Sequence, residues 1–219
     1  MAHRAERCYR DRMRTSPRVL EPLSLAERKR QLVRDQLGEA ALRLLAGQGY
    51  EETTVDQIVA AAGVSRRTFF RYFQSKEDVI VESVADLGDA VRAELAARPA
   101  KESPQAAMRA ALDVAIEQLA EEPAKSLPLV RLLFDTPALH RRFLERQSVL
   151  QQELADELAR REGLDAADDL GPALVAGVAI TAFQVAVASW TRHGGAENLG
   201  ELIDEAFART SPGAATRRR

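Results

Sequence analysis

Residues 53–79 constrain the fold more than any other part of the chain, because they hold two short helical patterns on either side of a glycine. Apolar residues before that glycine recur at helical spacing and predict a helix with one buried face: Val55, Ile58, Val59 and Ala62. Gly63 can adopt the positive φ that a tight turn between two helices often needs. Ser65 is a good N-cap for the next helix, since its hydroxyl can accept from a free N–H of the first turn. The spacing predicts a helix-turn-helix.

The second helical pattern, residues 66–73, mixes basic, polar and aromatic side chains in the order RRTFFRYF. A helix that reads DNA needs short polar and basic residues at its start and apolar residues that fix it to the domain below. We predict that Phe69 and Phe73 are core residues of a small domain. The charge distribution agrees with a DNA-binding N-terminal region: residues 1–80 hold 15 Lys/Arg against 11 Asp/Glu, whereas residues 81–219 hold 16 against 22.

Composition favours an all-α fold, because Ala, Leu, Glu and Arg dominate while β-branched and aromatic residues are sparse. The single cysteine, Cys8, excludes an internal disulfide and fits a reducing compartment, so we expect a cytoplasmic protein. The longest apolar run, Leu174–Trp190, contains Thr181 and Gln184, which favours a buried helix over a membrane span. We therefore expect no membrane partner.

Proline and glycine divide the chain into nine predicted helices in two domains. We predict a basic flexible arm over residues 1–23, a helix-turn-helix domain over 24–75, a second helical domain over 76–210, and a basic tail over 211–219. After a long fourth helix over about 76–98, helices are expected at 104–121, 124–135, 138–162, 171–193 and 197–209. The arm holds six arginines and has two interpretations, a solvated tail or a segment that enters a DNA minor groove.

The segment from about Arg28 to Val84 resembles the N-terminal signature of TetR/AcrR-family transcription regulators. The residues that carry the resemblance are Thr53-Thr54-Val55, Ile58-Val59, Ala62-Gly63-Val64-Ser65, Thr68 and Tyr72-Phe73-Gln74-Ser75-Lys76-Glu77. The resemblance implies a three-helix DNA-binding domain and a roughly six-helix ligand-binding and dimerisation domain, the latter over 76–210. It also implies a homodimer that binds double-stranded DNA at a palindromic operator. The region from Leu133 to Arg209 looks like a branch whose C-terminal domains bind acyl-CoA-like or other apolar molecules, which implies a small apolar or acyl-type effector.

The same resemblance implies a DNA interface of eight residues: Thr54, Ser65, Arg66, Arg67, Thr68, Phe70, Tyr72 and Lys76. An arginine suits guanine, because its planar fork matches the O6/N7 acceptor pair, and each such pair contributes about 1–3 kcal/mol of discrimination. Thr54 is expected to cap its helix and to contact phosphate through its hydroxyl. Tyr72 is expected to bond a phosphate or a base through its hydroxyl, and Lys76 to contact phosphate through its ammonium. Where the family often has tyrosine this chain has Phe70, which cannot donate to phosphate but can pack against a thymine methyl group.

For the effector pocket we predict seven residues of the C-terminal half: Arg131, Phe134, His140, Phe143, Phe183, Gln184 and Trp190. The apolar members fit plain core packing as well as a ligand wall. Gln184 lies within an apolar helix, so a buried amide there needs a partner, which can be another side chain, a water or a ligand.

The helix Pro172–Arg192 is apolar on nearly every side, and such a helix must be covered all round. We expect it to pack with the last helix against a symmetry mate, forming a four-helix bundle. The alternative is burial inside its own domain.

These observations predict a ligand-responsive DNA-binding transcriptional regulator, most simply a repressor. Two alternatives stay open: a regulator that responds to a protein partner without a small-molecule effector, and an activator. None of the three histidines follows a glutamate at the spacing of a di-iron site, and no phosphate-binding loop or nucleophile motif occurs. We expect no enzymatic activity, no metal and no cofactor.

Overall fold

A computed structural model describes residues 24–82, 85–165 and 169–210. The predicted arm over 1–23 and the predicted tail over 211–219 lie outside the described residues. Within the described ranges there is no β-strand, which confirms the all-α prediction.

Eleven helical segments make up the described ranges. They are α1 (Leu25–Gln48), α2 (Val55–Ala62), α3 (Arg66–Tyr72), α4 (Lys76–Glu82), α5 (Asp86–Ala97), α6 (Pro104–Ala111), α7 (Asp113–Glu121), α8 (Pro123–Asp135), α9 (Pro137–Glu162), α10 (Leu170–Arg192) and α11 (Leu199–Thr210). The predicted fourth helix corresponds to α4 and α5, and the predicted helix 104–121 corresponds to α6 and α7. Counting each pair once gives the predicted plan of three helices followed by six.

Helix α1 crosses the boundary between two compact units of the chain, which falls after Gln36. In the first unit Leu32 is 57% exposed. In the second unit Leu37 and Ala41 are fully buried and Leu45 nearly so, so α1 has a buried apolar face from Leu37 onward. Gly49 has a φ of 81° directly after the last helical residue, as expected for a glycine that ends a helix.

Helix α10 is the central element of the C-terminal helices, in contact with α6, α8, α9 and α11. Small residues on its inner face allow close packing: Ala176, Ala179, Ala182 and Ala186 are buried. It is the one helix among the described residues that is long and apolar enough to span a membrane, by length and composition only. Its contacts with four other helices account for much of that apolar character.

The outer face of α10 is apolar and open. Its exposed residues recur at helical spacing along one stripe, namely Leu170, Leu174, Val178, Thr181 and Val185. Leu174 is 62% exposed and Val185 58%, so burial inside its own subunit does not cover this helix. The α10 stripe is the part of the helix that a second subunit can cover.

Candidate DNA interface and effector cavity

Local capping fixes the positions of α2 and α3. The Thr54 hydroxyl accepts from the Gln57 backbone N–H at 3.3 Å, and the Gln57 side-chain oxygen accepts from the Thr54 N–H at 2.9 Å, a reciprocal capping box. Gly63 then turns the chain with a φ of 66°. The Ser65 hydroxyl accepts from the Thr68 N–H at 3.1 Å and so begins α3. The predicted caps and turn are confirmed.

Two aromatic side chains hold α3 on the domain beneath it. Phe69 is fully buried and Phe73 is 5% exposed, with their ring centroids 5.7 Å apart. The prediction that both are core residues is confirmed. Their burial leaves the opposite side of α3 to face outward.

The outward side of α3 carries basic and aromatic side chains that differ in exposure and in hydrogen bonding. Arg67 is exposed and has no hydrogen-bond or ion-pair partner within the described part of the chain. Arg66 instead donates through Nη1 to both oxygens of Asp56 on α2, at 2.8 and 3.0 Å. Phe70 is 51% exposed, and the Tyr72 hydroxyl accepts from Arg71 at 3.1 Å. Of the two arginines at the start of α3, Arg67 is the one whose guanidinium is free to meet a base.

Lys76, the first residue of α4, binds the turn before α2. Its ammonium donates to the backbone carbonyls of Tyr50 at 2.8 Å and of Thr53 at 3.0 Å, and lies 4.0 Å from the centroid of the Tyr50 ring. Its predicted contact with a phosphate stays a prediction. The structure adds a second role, since these three interactions hold α4 against the helix-turn-helix.

A tyrosine–glutamate hydrogen bond adds to this connection. The Tyr50 hydroxyl donates to the Glu77 carboxylate. Burial and this bond raise the pKa of Tyr50 well above its usual value. Burial alone would raise the pKa of Glu77, but the hydrogen bonds from Tyr50, its own backbone N–H and Ser75 outweigh that effect and hold this pKa below its usual value. Glu77 is therefore an ionised acceptor at neutral pH.

One ion pair joins α4 to the long helix α9. Arg142 of α9 pairs with the Asp78 carboxylate, which is only 10% exposed. The other oxygen of Asp78 accepts from the backbone N–H of Gln74 at 2.8 Å, two residues beyond the end of α3. The Arg142–Asp78 pair therefore connects α9 to the segment between the recognition helix and α4.

A cavity of about 310 Å³ lies among the helices from α4 to α10. Its wall is mainly apolar: Val81, Leu87, Val91, Leu119, Leu129, Val130, Leu133, Phe134, Phe143, Leu150, Ile180, Phe183 and Val187 all contribute. The volume is at the low end of what small-molecule sites show, and a mostly apolar wall with few polar groups is typical of them. Four predicted pocket residues are brought together here, namely Phe134, Phe143, Phe183 and Gln184.

Three predicted pocket residues do not line this cavity. Arg131 is exposed and donates to the Thr191 backbone carbonyl at 3.2 Å. Trp190 is 1% exposed in a core cluster with residues of α8 and α11, which adjoins the cavity through Val130 and Val187. His140 lies with its ring 5.7 Å from that of Phe134, outside the lining. The sequence identified their helices correctly, but the rotation of each helix turns these side chains elsewhere.

Most lining residues were not predicted, and two polar ones among them are neighbours on α9. Gln147 accepts a hydrogen bond from the side-chain amide of Gln184, which confirms that Gln184 needs a partner and shows that a side chain supplies it. Arg146 lines the cavity beside it. A signal for both was present, since Phe143, Arg146, Gln147 and Leu150 follow the spacing of one helix face.

Known proteins resemble the chain along most of its length. The family model described as bacterial regulatory proteins, tetR family, matches residues 37–82, and the model of the MftR C-terminal domain matches residues 98–215. The HTH-type transcriptional regulator TcmR of Streptomyces glaucescens is 37% identical over 172 residues, which cover 76% of this chain and 76% of the relative.

Two solved structures share the architecture. FadR of Thermus thermophilus, a TetR-family transcriptional repressor in complex with lauroyl-CoA, aligns with a TM-score of 0.52 and 25% identity over 82% of this chain and 99% of its own. The fatty acid degradation regulator FadR of Bacillus halodurans aligns with a TM-score of 0.54 and 20% identity over 85% of this chain and 97% of its own, a likeness of fold alone. The chain belongs to the tetR family of bacterial regulatory proteins and is a DNA-binding transcriptional regulator.

Proposed function

We propose that this protein is a cytoplasmic homodimeric repressor that binds a palindromic operator and is released when a small apolar or acyl-type effector enters the cavity. Residues 24–75 are the DNA-binding domain in this proposal, and residues 76–210 hold the effector and form the dimer. The effector-binding TetR repressor from Thermus thermophilus supports a ligand of this class, since its structure contains lauroyl-CoA.

The observation that carries the proposal is that α9 takes part in both the cavity and the DNA-binding half. Phe143 and Leu150 of α9 line the cavity, and Arg142, the residue next to Phe143, pairs with Asp78 of α4. Movement of Phe143 by an entering ligand displaces Arg142 with it, because neighbouring residues of a helix move together.

The displacement is transmitted to the recognition helix through α4. Asp78 accepts from the Gln74 N–H just beyond α3, while Lys76 and Glu77 hold the turn before α2 through Tyr50. In a dimer the two recognition helices must match half-sites about 34 Å apart or a multiple of that distance. A change of a few ångströms in their separation therefore weakens operator binding.

The α10 stripe supports the dimeric part of the proposal. Leu174, Val178 and Val185 expose apolar surface along one line, and contiguous apolar surface of this kind marks an interface. A two-fold axis beside α10 would set this stripe against its own copy, as in isologous dimers. Helix α11 of each subunit would complete a four-helix bundle.

The test uses operator duplex selected from a random library and three twelve-carbon probes: dodecan-1-ol, dodecanoate and lauroyl-CoA. We expect at least one probe to lower operator affinity of the wild-type protein. Arg142→Met should still bind that probe but respond to it with a much smaller loss of operator affinity. Arg160→Met is the matched control, because Arg160 is an exposed α9 residue whose one ion-pair partner among the described residues is Glu157. Operator affinity that is indifferent to all three probes would contradict the proposal.

A further inference from the structure

An exposed ion pair connects α2 to the first residue of α3. Arg66 donates through Nη1 to both carboxylate oxygens of Asp56, at 2.8 and 3.0 Å. The side chain of Arg66 is 60% exposed and that of Asp56 66%, so the pair lies on the surface of the domain. A carboxylate is therefore held beside the recognition helix, on a domain whose partner is a polyanion.

The two arginines at the start of α3 lie on different sides of that helix. The buried Phe69 and Phe73 mark the side that faces the core. At about 100° per residue, Arg67 is turned roughly 140° from the midpoint of those two residues, whereas Arg66 is turned only about 40°. Arg67 therefore faces away from the core, where a base-reading side chain is needed. Arg66 lies on the flank of the helix, and the DNA groups that border a groove are phosphates.

The fold of α2 depends little on the Asp56 carboxylate. Thr54 and Gln57 already form a reciprocal capping box at the start of this helix. A carboxylate in the first turn suits the helix dipole, but that effect is small at an exposed site. Exposed ion pairs also contribute little to stability, because water and salt screen them. The main consequence of this carboxylate is therefore expected in DNA binding.

The pair cancels the charge of Arg66 where DNA must approach. The electrostatic part of DNA binding comes from cations that neutralise phosphates. A guanidinium that is held by a carboxylate of its own chain neutralises none. Arg67, by contrast, is exposed and has no partner in the part of the chain that the structure describes. A phosphate that binds Arg66 must first displace Asp56.

We propose that Asp56 competes with DNA phosphate for Arg66 and thereby weakens the sequence-independent part of DNA binding. This inference rests on the proposed function, in which residues 24–75 bind DNA. Asp56 acts as a positioning residue, because it holds the guanidinium of Arg66 against α2 and leaves Arg67 as the free arginine at the start of α3. The regulator consequently binds DNA less tightly, and with a weaker dependence on salt, than it would with Arg66 released.

Fluorescence anisotropy on the full-length protein tests the competition with two labelled duplexes, the operator selected from a random library and a scrambled duplex. Asp56→Asn keeps the size of the side chain and removes its charge. We expect this variant to bind both duplexes about threefold to 30-fold more tightly, the effect of releasing one exposed ion pair in each subunit of a dimer. The slope of log affinity against log salt concentration should steepen by about 1.8, or about 0.9 for each of two added phosphate contacts.

A double-mutant cycle isolates the role of Arg66, because the loss of a negative charge near DNA strengthens binding by itself. Charge alone predicts the same gain from Asp56→Asn in the wild type and in the Arg66→Ala background. Competition predicts a gain at least about twofold smaller, and no steeper salt slope, when Arg66 is absent. Asp156→Asn is the matched control, since Asp156 is an exposed carboxylate of α9 that accepts from Gln152, and it should change neither affinity nor slope.

The outcomes distinguish this inference from the proposed function. Equal gains in the two backgrounds, or an unchanged affinity of Asp56→Asn, overturn the competition, while operator binding by the wild type still supports the proposed function. A gain confined to the selected operator also overturns it, because a released Arg66 then reads a base. Failure of both the wild type and Asp56→Asn to bind any duplex contradicts the inference and the proposed function together.

Discussion

Replacing Arg67 by alanine should remove most of the sequence preference of this regulator, whereas replacing Arg66 should not. Arg67 is exposed and, among the described residues, unpaired, so its full guanidinium fork can meet a guanine. One such contact is worth about 1–3 kcal/mol, and a dimer makes it twice. The loss is then about 2–6 kcal/mol, or roughly 30-fold to 10⁴-fold in operator affinity.

Arg66 differs from Arg67, because its guanidinium already donates hydrogen bonds to both oxygens of Asp56 at 2.8 and 3.0 Å. An exposed ion pair of this kind is worth about 0–1 kcal/mol, which a base contact would have to replace. We therefore expect Arg66→Ala to act mainly through lost positive charge, weakening selected and scrambled duplexes to a similar degree.

Fluorescence anisotropy at one fixed salt concentration measures both affinities, since phosphate contacts make them depend on salt. The informative quantity is the ratio of the affinity for the selected operator to that for a scrambled duplex. Arg67→Ala should collapse this ratio, while Arg66→Ala and the distant control Arg160→Ala should preserve it. A retained ratio in Arg67→Ala, or a collapse only in Arg66→Ala, would refute this reasoning.

Three further substitutions test the parts that connect the site to the fold. Glu77→Gln should remove a contribution to the free energy of unfolding that is present above the usual glutamate pKa and is lost as the pH falls through the lowered pKa of Glu77 in the folded protein. Acid unfolding of the variant, followed by circular dichroism, should therefore depend less on pH. Gly88→Ala places a Cβ 2.8 Å from the end of the Leu150 side chain, which also lines the cavity. The affinity of the cavity for Nile red, an uncharged dye that fluoresces in apolar sites, should therefore fall by about threefold with little change in melting temperature. Leu174→Glu puts a charge on the α10 stripe and should give monomers by light scattering with unchanged helical content.

Each of the three has a matched control. Glu51→Gln is an exposed change of the same charge in the turn before α2, and an equal change in acid unfolding there would remove the special role of Glu77. Ala90→Gly lowers helix propensity in α5 near Gly88, so an equal loss of dye affinity would show a helix effect. Leu144→Glu alters an exposed leucine of α9, and monomers formed by it as readily would argue against the α10 stripe.

Local signals made the DNA-binding part predictable from the sequence. The caps Thr54 and Ser65 and the turn at Gly63 act within three or four residues of their own position, so the sequence pattern contains the whole interaction. The burial of Phe69 and Phe73 follows from their spacing of four on one helix face. What the pattern could not show is that Arg66 pairs with Asp56 ten residues earlier, because that pair depends on how α2 and α3 pack.

The cavity depends on rotations of whole helices, which neighbouring residues do not determine. Trp190 and Phe183 are both apolar residues of α10, and Phe183 packs against the cluster that holds Trp190, yet of the two Phe183 alone lines the cavity. Arg146 and Gln147 are polar residues that a composition-based search assigns to solvent, and the packing of α9 turns them inward. The predicted boundary between residues 75 and 76 stays a prediction.

The central claim, that the cavity controls operator binding, is tested most directly by reciprocal linkage. Calorimetry would give the affinity of the protein for the twelve-carbon probe that lowers operator affinity, in the absence of DNA and in the presence of saturating operator. If the effector favours the form that does not bind DNA, operator must weaken binding of that probe by the same factor as the probe weakens operator binding, typically about 5-fold to 150-fold. Equal affinities for that probe with and without operator would contradict the account.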